Sequence, residues 1–256
     1  MMRLAFVGKG GAGKSVIAGT FARLLAAQGE PVLALDSDPL PGLAFSLGVE
    51  RRDTGLPAEL VTERAEGEAG PRFRLRADVT AAAAIERYAV PGPDGIRFLQ
   101  VGKVGGGDAA DVIRAQFAFR ELTQGLGDTR WHLVGDLPAG TRQAFFGWGS
   151  YARTVLVVAE PTAASELSAR RLARLALTQE PPQLLLLANK VSEPADVERL
   201  AGATGLEVAG AVPLDEAVAD AERRGVPLVE HAPDAPAVGA LRSLLERLQV
   251  GPSWRC

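Results

Sequence analysis

The sequence predicts an α/β protein built on a single doubly wound, mostly parallel sheet with helices on both faces. Short apolar runs alternate with segments of helical periodicity along almost the whole chain, which is typical of strand–helix–strand units. The first apolar run also leads through a glycine-rich loop into a helix, an order that favours phosphate binding. No repeat or linker interrupts the sequence, so we predict one domain over 1–256 with an irregular, charged insertion at 49–95.

The individual elements are predicted from their local patterns. The first helix, 15–28, has Ile17, Phe21 and Leu25 on one side and ends near Gly29. Further helices are predicted over 43–47, 79–88, 109–126, 163–178, 195–201, 214–223 and 238–248. Runs rich in Val, Leu and Ala predict strands over 4–7, 31–36, 96–101, 131–136, 154–159, 183–188 and 206–212.

The composition is that of a soluble globular protein, with 47% apolar and 23% charged residues. A formal net charge of −3 gives no general attraction to nucleic acid or to an anionic membrane. No apolar run reaches the roughly 18 residues of a membrane span, and the N-terminus runs directly into the first strand. One cysteine, Cys256, and two histidines cannot build a four-ligand metal site. We therefore expect a cytoplasmic protein without integral membrane contact and without a nucleic-acid partner.

The glycine-rich loop after the first strand matches the pattern G-x-x-x-x-G-K-[ST], with Gly8, Gly13, Lys14 and Ser15 at the fixed positions. Backbone N–H groups in such a loop, together with the helix N-terminus, cradle phosphates. We expect Lys14 to reach the β- and γ-phosphates and the Ser15 hydroxyl to bind Mg²⁺. The residues assigned to nucleotide binding here are Gly8, Lys9, Gly10, Gly11, Ala12, Gly13, Lys14, Ser15 and Val16.

Carboxylates follow two of the other predicted strands. Asp36 and Asp38 come after the second apolar run, and Asp136 ends the strand at 131–136. The carboxyl ends of parallel strands meet at one edge of a sheet, so these side chains should lie near the loop. We expect Asp136 and Asp36 to support Mg²⁺, and Asp38, which lies further past its strand, to orient the attacking water. Gly140 is predicted to bring its N–H close to the γ-phosphate.

Two later strand ends predict the pocket for the base. Asn189 and Lys190 follow the strand at 183–188, and an Asn amide offers both a donor and an acceptor to a base edge. Pro213 and Asp215 follow the next strand and are predicted to close the pocket.

The loop Lys9-Gly10-Gly11-Ala12-Gly13-Lys14-Ser15 resembles the deviant Walker A motif of the ATPase family that includes MinD, ParA, the nitrogenase iron protein and the arsenite-pump ATPase. The resemblance implies a SIMIBI-type P-loop NTPase that forms an ATP-sandwich homodimer, closed with ATP and open after hydrolysis. It implies that Lys9 crosses the dimer interface to the partner's nucleotide, and that Asp38 positions the water.

Within that family the chain looks most like the CooC-type ATPases that mature carbon monoxide dehydrogenase. The matching segments are Lys9–Ser15, Asp36–Pro39, Leu60–Arg64, Gly102–Val104, Asp136–Gly140, Glu160-Pro161, Asn189-Lys190, Val212–Asp215 and Ala221-Glu222. CooC-type proteins carry a metal-binding Cys-x-Cys pair after the glycines near 105–107, where this chain reads Gly-Asp-Ala-Ala-Asp over 107–111. Nickel binding of that kind is therefore lost, because Asp108 and Asp111 offer only hard oxygen ligands.

The resemblance implies an Mg-ATP-dependent, dimerising ATPase switch that hydrolyses ATP to ADP and acts on a client protein in metalloenzyme maturation or assembly. An alternative is a ParA- or MinD-like positioning ATPase that acts on DNA or membrane. A small-molecule ligase or kinase and a nucleotide-binding structural subunit are further alternatives. The last helix bears on the membrane alternative, and we expect its apolar stripe over 241–248 to pack on the sheet.

Overall fold

The computed structural model describes residues 1–38, 42–50, 55–102, 109–127, 129–140, 147–176 and 183–250. The strands are β1 (Arg3–Gly8), β2 (Val32–Asp36), β3 (Val61–Glu63), β4 (Phe73–Leu75), β5 (Val90–Pro91), β6 (Arg97–Gln100), β7 (His132–Asp136), β8 (Thr154–Ala159), β9 (Gln183–Val191) and β10 (Val208–Pro213). The helices are α1 (Lys14–Ala26), α2 (Leu43–Leu47), α3 (Ala81–Tyr88), α4 (Ala109–Gln124), α5 (Ala163–Ala176), α6 (Pro194–Thr204), α7 (Glu216–Arg224), α8 (Leu228–His231) and α9 (Pro236–Val250). Short 3₁₀ turns lie at Ala58–Leu60 and Pro93–Gly95.

The central sheet has the strand order β10-β9-β8-β1-β7-β2-β6-β5. All neighbouring pairs are parallel except β5 with β6, which is antiparallel at the sheet edge. The predicted mostly parallel, doubly wound sheet is confirmed. The order reverses around β1, so the loop that follows β1 lies at a switch point, where α/β sheets bind ligands.

Side chains of β1 alternate between two apolar cores, one on each face of the sheet. Phe6 contacts the ring of Phe21 on α1 and belongs to the same core as Leu241 of α9, whereas Val7 belongs to the core on the other face, with Phe119 of α4. Because both faces are covered by helices, the central strands are apolar without alternation, as the sequence pattern indicates.

The segment 49–95, predicted to be irregular, has ordered structure in its described part, 49–50 and 55–95. Strands β3 and β4 pair as an antiparallel two-stranded sheet, α3 follows, and β5 extends the main sheet. Phe73 and Ile85 are buried in the same core as Phe119. Strands of three residues are too short to show an alternating pattern, which explains why the sequence did not reveal them.

The C-terminal helix α9 packs as predicted. Leu241, Leu244 and Leu245 are 1%, 2% and 0% exposed and belong to the α1 core. In the described part of the chain, no helix is long and apolar enough to span a membrane.

Candidate functional site

The glycine loop, 8–15, joins β1 to the first residues of α1. At positions 8 and 13, neighbouring atoms lie so close to the backbone that only glycine fits. A Cβ at position 8 would lie 2.3 Å from the Val158 carbonyl oxygen. Gly13 has φ 89°, and a Cβ there would lie 2.5 Å from the Asn189 amide nitrogen. The loop therefore fits tightly between its neighbours, with α1 starting directly behind it.

Two side chains at the end of β9 donate hydrogen bonds to backbone carbonyls of the loop. The Asn189 side-chain amide donates to the Ala12 carbonyl at 2.7 Å, and Lys190 Nζ donates to the Gly11 carbonyl at 2.8 Å. Lys190 has φ 57°, which is uncommon for a residue with a side chain. The sequence predicted that both residues follow a strand ending at 188, but β9 extends to Val191, so both lie within the strand. Their predicted contact with a base remains a prediction, and Asn189 uses one of its two amide N–H donors on the loop.

The two lysines of the loop have different surroundings. Lys14 is 8% exposed, and its Nζ lies 3.4 Å from the Lys9 carbonyl oxygen. The Lys9 side chain is 38% exposed, with Nζ 4.0 Å from Glu160 Oε1 and 3.5 Å from the Gly10 carbonyl oxygen. Lys14 thus points into the cradle of its own loop, whereas Lys9 lies at the surface.

Glu160, at the end of β8, is a charged residue of the site that the prediction from sequence did not include. Its carboxylate lies 2.9 Å from Lys190 Nζ as well as near Lys9. Its backbone N–H donates to Ser165 Oγ at 3.1 Å in the first turn of α5. The available signal was its position, because it follows an apolar strand at the same sheet edge as the other site residues.

Asp36 and Asp136 are adjacent in the sheet, where β2 and β7 pair in register. Ser15 Oγ donates to Asp136 Oδ2 at 2.5 Å. The two Asp36 oxygens accept from the N–H groups of Asp38 at 3.0 Å and of Leu43 at 3.1 Å. Asp136 Oδ1 is buried and has no hydrogen-bond partner among the described residues. A buried, unpartnered carboxylate oxygen beside a second carboxylate is suited to receive a cation.

Burial makes it costly to ionise both acids. Desolvation, followed by repulsion from Asp136, raises the pKa of Asp36 to about 8. Desolvation raises the pKa of Asp136 to about 6, opposed by the Ser15 hydroxyl and Lys14. Near neutral pH Asp36 therefore retains its proton, whereas Asp136 is mostly ionised, and a bound cation would favour the charged form of both carboxyl groups.

The residues fit Mg²⁺, since Ser15, Asp36 and Asp136 present only oxygen ligands around the unpartnered Oδ1. The described residues contain no group of three His, Cys, Asp or Glu that alone could hold a metal ion. Mg²⁺ in nucleotide sites takes one or two carboxylates and completes its shell with water and phosphates.

The remaining residues predicted for the phosphate side are Asp38 and Gly140. Asp38 is half-buried, and its backbone N–H donates to Asp36. A Cβ at Gly10 would lie 3.6 Å from the Ala139 Cβ, so the strand end after Asp136 runs alongside the loop. Gly140 has φ 130°, a conformation that favours glycine.

A cavity of about 400 Å³ opens beside the loop and is lined by Asn189, Lys190, Pro213 and Asp215, the four residues predicted for the base pocket. Asp215 also caps α7 by accepting from the Ala217 N–H at 2.9 Å. Its other oxygen accepts from the Ala237 N–H at 3.0 Å. Asp215 therefore shapes the cavity wall, and both of its oxygens are occupied by backbone donors.

The doubly wound sheet, the glycine loop at its switch point and the carboxylates beside it define a P-loop nucleotide-binding ATPase fold. The model of the CobQ/CobB/MinD/ParA nucleotide binding domain matches residues 4–228. The chain belongs to this family.

Similar proteins extend over nearly the full chain. The carbon monoxide dehydrogenase accessory protein CooC of Rhodospirillum rubrum is 31% identical over 266 residues, with 98% of each chain covered. An uncharacterised ATP-binding protein of Methanocaldococcus jannaschii is 32% identical over 237 residues, covering 89% of this chain and 91% of that protein. The fold is also that of the septum site-determining protein MinD of Pyrococcus horikoshii, solved with Mg-ADP. That structure has a TM-score of 0.71 and 19% identity, and the match covers 98% of this chain and 97% of MinD.

Proposed function

We propose that the chain is an Mg-ATP-dependent ATPase switch, which hydrolyses ATP to ADP and phosphate, dimerises around ATP and acts on a client protein. The observation that carries the hydrolytic part is the buried, unpartnered Asp136 Oδ1 next to Ser15 and Asp36. These groups lie at the sheet edge that also presents the glycine loop and Asp38.

Each residue has a definite task in this proposal. The loop N–H groups and Lys14 bind the phosphates, and Ser15, Asp136 and Asp36 hold Mg²⁺. Mg²⁺, when bound, neutralises phosphate charge during transfer of the γ-phosphoryl group to water. Asp38 orients that water and accepts its hydrogen bond.

The proposed dimer is supported by the position of Lys9. Its ammonium group is partly exposed and lies near Glu160 rather than inside its own phosphate cradle. A contact over 4.0 Å at the surface contributes little free energy, so Lys9 can exchange Glu160 for a phosphate of a facing subunit at small cost.

The client role is supported by the similarity to CooC, which is named as an accessory protein of carbon monoxide dehydrogenase. The client of this chain is proposed to be a metalloenzyme or part of its assembly machinery. Residues 107–111, where CooC-type proteins carry their cysteines, contain no cysteine in this sequence. The proposed role is therefore to move or remodel a client, without nickel transfer through thiolates.

The family also includes MinD and ParA, and a positioning ATPase is the alternative. The burial of Leu241, Leu244 and Leu245 argues against it, because α9 has no free apolar stripe to insert into a membrane. The net charge of −3 likewise gives no general attraction to DNA.

Phosphate release tests the hydrolytic proposal. The wild type should hydrolyse ATP only with Mg²⁺. Asp38→Ala should bind Mg-ATP with near-normal affinity but hydrolyse it at least about 100-fold more slowly. Lys14→Ala should lose binding. Hydrolysis by Asp38→Ala at the wild-type rate would refute the assignment of the water.

Affinity capture tests the client proposal. The Asp38→Ala protein, held with ATP, should retain a specific protein that the ADP-bound wild type does not retain. A metal assay of the ATP-bound form is the companion measurement, and stoichiometric nickel or zinc would contradict the argument from missing thiols.

A further inference from the structure

Helix α5 exposes a basic face that the nucleotide site does not use. The side of α5 that faces the sheet is buried and carries Ser165, Ala169, Leu172 and Ala173. Four exposed residues follow the helical spacing i, i+3, i+4, i+7, namely Leu167, Arg170, Arg171 and Arg174. They therefore form one stripe on the opposite side of the helix, which we call the α5 stripe.

The arginines of the α5 stripe differ from most exposed arginines of this protein. Arg72, Arg76 and Arg199, for example, are paired with nearby carboxylates at 2.8, 2.8 and 3.1 Å. The guanidinium groups of Arg170, Arg171 and Arg174 form no hydrogen bond, ion pair or ring contact with the other described residues. Glu166, the only acidic residue of α5, lies on the flank of the helix rather than in the stripe.

Three unpaired guanidinium groups within about 6 Å along one helix face form a local positive charge, although the whole chain carries −3. The planar guanidinium group of arginine can form two parallel hydrogen bonds with the two oxygens of a carboxylate. Leu167, 38% exposed, adds an apolar contact one turn away. The phosphates of a nucleic acid could pair with the arginines, but they offer no apolar group to contact Leu167. The combination of three arginines and a leucine therefore favours a protein partner.

We propose that the α5 stripe is a docking surface for an acidic, amphipathic segment of a protein partner. The segment presents carboxylates to Arg170, Arg171 and Arg174 and an apolar side chain to Leu167. The surface goes beyond ATP hydrolysis and lies outside the nucleotide site. It is nevertheless connected to that site, because Ser165 at the start of α5 accepts from the Glu160 N–H.

The test uses a synthetic helical peptide with three glutamates and one leucine on one face, and measures its binding by fluorescence anisotropy at physiological salt. We expect binding that weakens at least tenfold in R170A/R171A/R174A and about threefold in L167A. The matched control R72A/R74A/R76A removes the same charge from arginines that are already partnered, and should change binding less than twofold. The ATPase rate of all three variants should equal that of the wild type, which separates this test from that of the proposed function.

Three results would overturn the proposal. One is the absence of peptide binding at 1 mM peptide, and another is equal loss of binding in the control triple variant. The third is tighter, stripe-dependent binding of a 20-base-pair DNA duplex or of anionic phospholipid vesicles than of the peptide, which would assign the surface to nucleic acid or membrane.

Discussion

The two sides of the glycine loop neutralise charge in opposite ways. On the side of Asp36 and Asp136, two carboxyl groups are buried and one oxygen has no partner among the described residues. On the side of Lys9, two lysines share Glu160 close to the surface, with the lysine side chains 38% and 40% exposed. The buried carboxyl groups need a cation to balance their charge when both are ionised. The exposed lysines can exchange Glu160 for another anion at a small cost in free energy. Metal binding and subunit contact are thus assigned to different sides of one loop.

The largest expected effect comes from Asp136→Asn on the buried side. Hydrolysis of Mg-ATP should fall at least about 100-fold, because a neutral amide cannot balance the cation. The free energy of unfolding without Mg²⁺ and nucleotide should not fall, since the amide no longer repels Asp36. Phosphate release and denaturant unfolding measure the two quantities.

The matched control is Asp220→Asn on α7, an aspartate paired at the surface with Arg223 and Arg224. Its hydrolysis rate should stay within twofold of the wild type. If Asp136→Asn retains more than a tenth of the wild-type rate, the buried side does not hold the catalytic cation.

The next largest effect is expected for Asn189→Ala beneath the loop. It leaves the Ala12 carbonyl without its buried donor, which costs about 1–3 kcal/mol of unfolding free energy. ATP affinity should fall about tenfold, since the loop loses its shape. Calorimetric titration and denaturant unfolding are the measurements.

Gln249→Ala is the matched control, because this exposed amide donates to Gln28 at 2.7 Å. It should change the free energy of unfolding by less than about 0.5 kcal/mol. Equal effects of the two variants would show that the contact between Asn189 and the loop is not important.

The pH dependence of stability gives an intermediate effect. The pKa values of about 8 for Asp36 and about 6 for Asp136 exceed the value of 3.8 in the unfolded chain. The folded protein therefore binds more protons, and without Mg²⁺ its free energy of unfolding should fall as pH rises from about 4 to about 8. Mg-ADP affinity should rise over the same range, because binding releases those protons.

Asp36→Asn supplies the comparison for the pH prediction. Thermal unfolding across this pH range should show a flatter dependence for the variant than for the wild type. A wild-type stability that rises with pH, or that matches the variant throughout, would contradict the raised pKa values of the buried pair.

The smallest effect is expected for Glu160→Gln on the exposed side. The unfolding free energy should change by less than about 1 kcal/mol, because both lysine partners are partly exposed and the amide oxygen can still accept from Lys190. ATP-dependent dimerisation should strengthen a few-fold, since Lys9 loses its counter-ion in the monomer. Sedimentation measures this, with Glu166→Gln as the control on α5. Weaker dimerisation would show that Glu160 supports the dimer contact instead of competing with it.

The sequence alone was sufficient for the features that depend on local pattern. The apolar runs predicted the parallel sheet. Strand-end positions predicted that Asp36 and Asp136 would meet at the loop, because parallel strands end at one sheet edge. The glycine pattern likewise predicted the start of α1 behind the loop.

Features that depend on contacts between distant residues were not predictable. The sequence does not show that Asn189 and Lys190 hold loop carbonyls, because these contacts join residues 177 and 179 positions apart. The position of Glu160 after a strand could have been noticed, but its contacts with Lys9 and Lys190 could not, because these residues lie in other parts of the chain. The strands β3 and β4 were missed for another reason, since three residues give no detectable period.

Light scattering of the Asp38→Ala protein with ATP and Mg²⁺ is the decisive measurement for the separate tasks of the two sides. We expect a dimer for Asp38→Ala and a monomer for Asp38→Ala/Lys9→Ala, with nucleotide affinity of the monomer within about threefold in both. A double variant that dimerises as tightly as Asp38→Ala would contradict the role of Lys9 and the separation of the two sides.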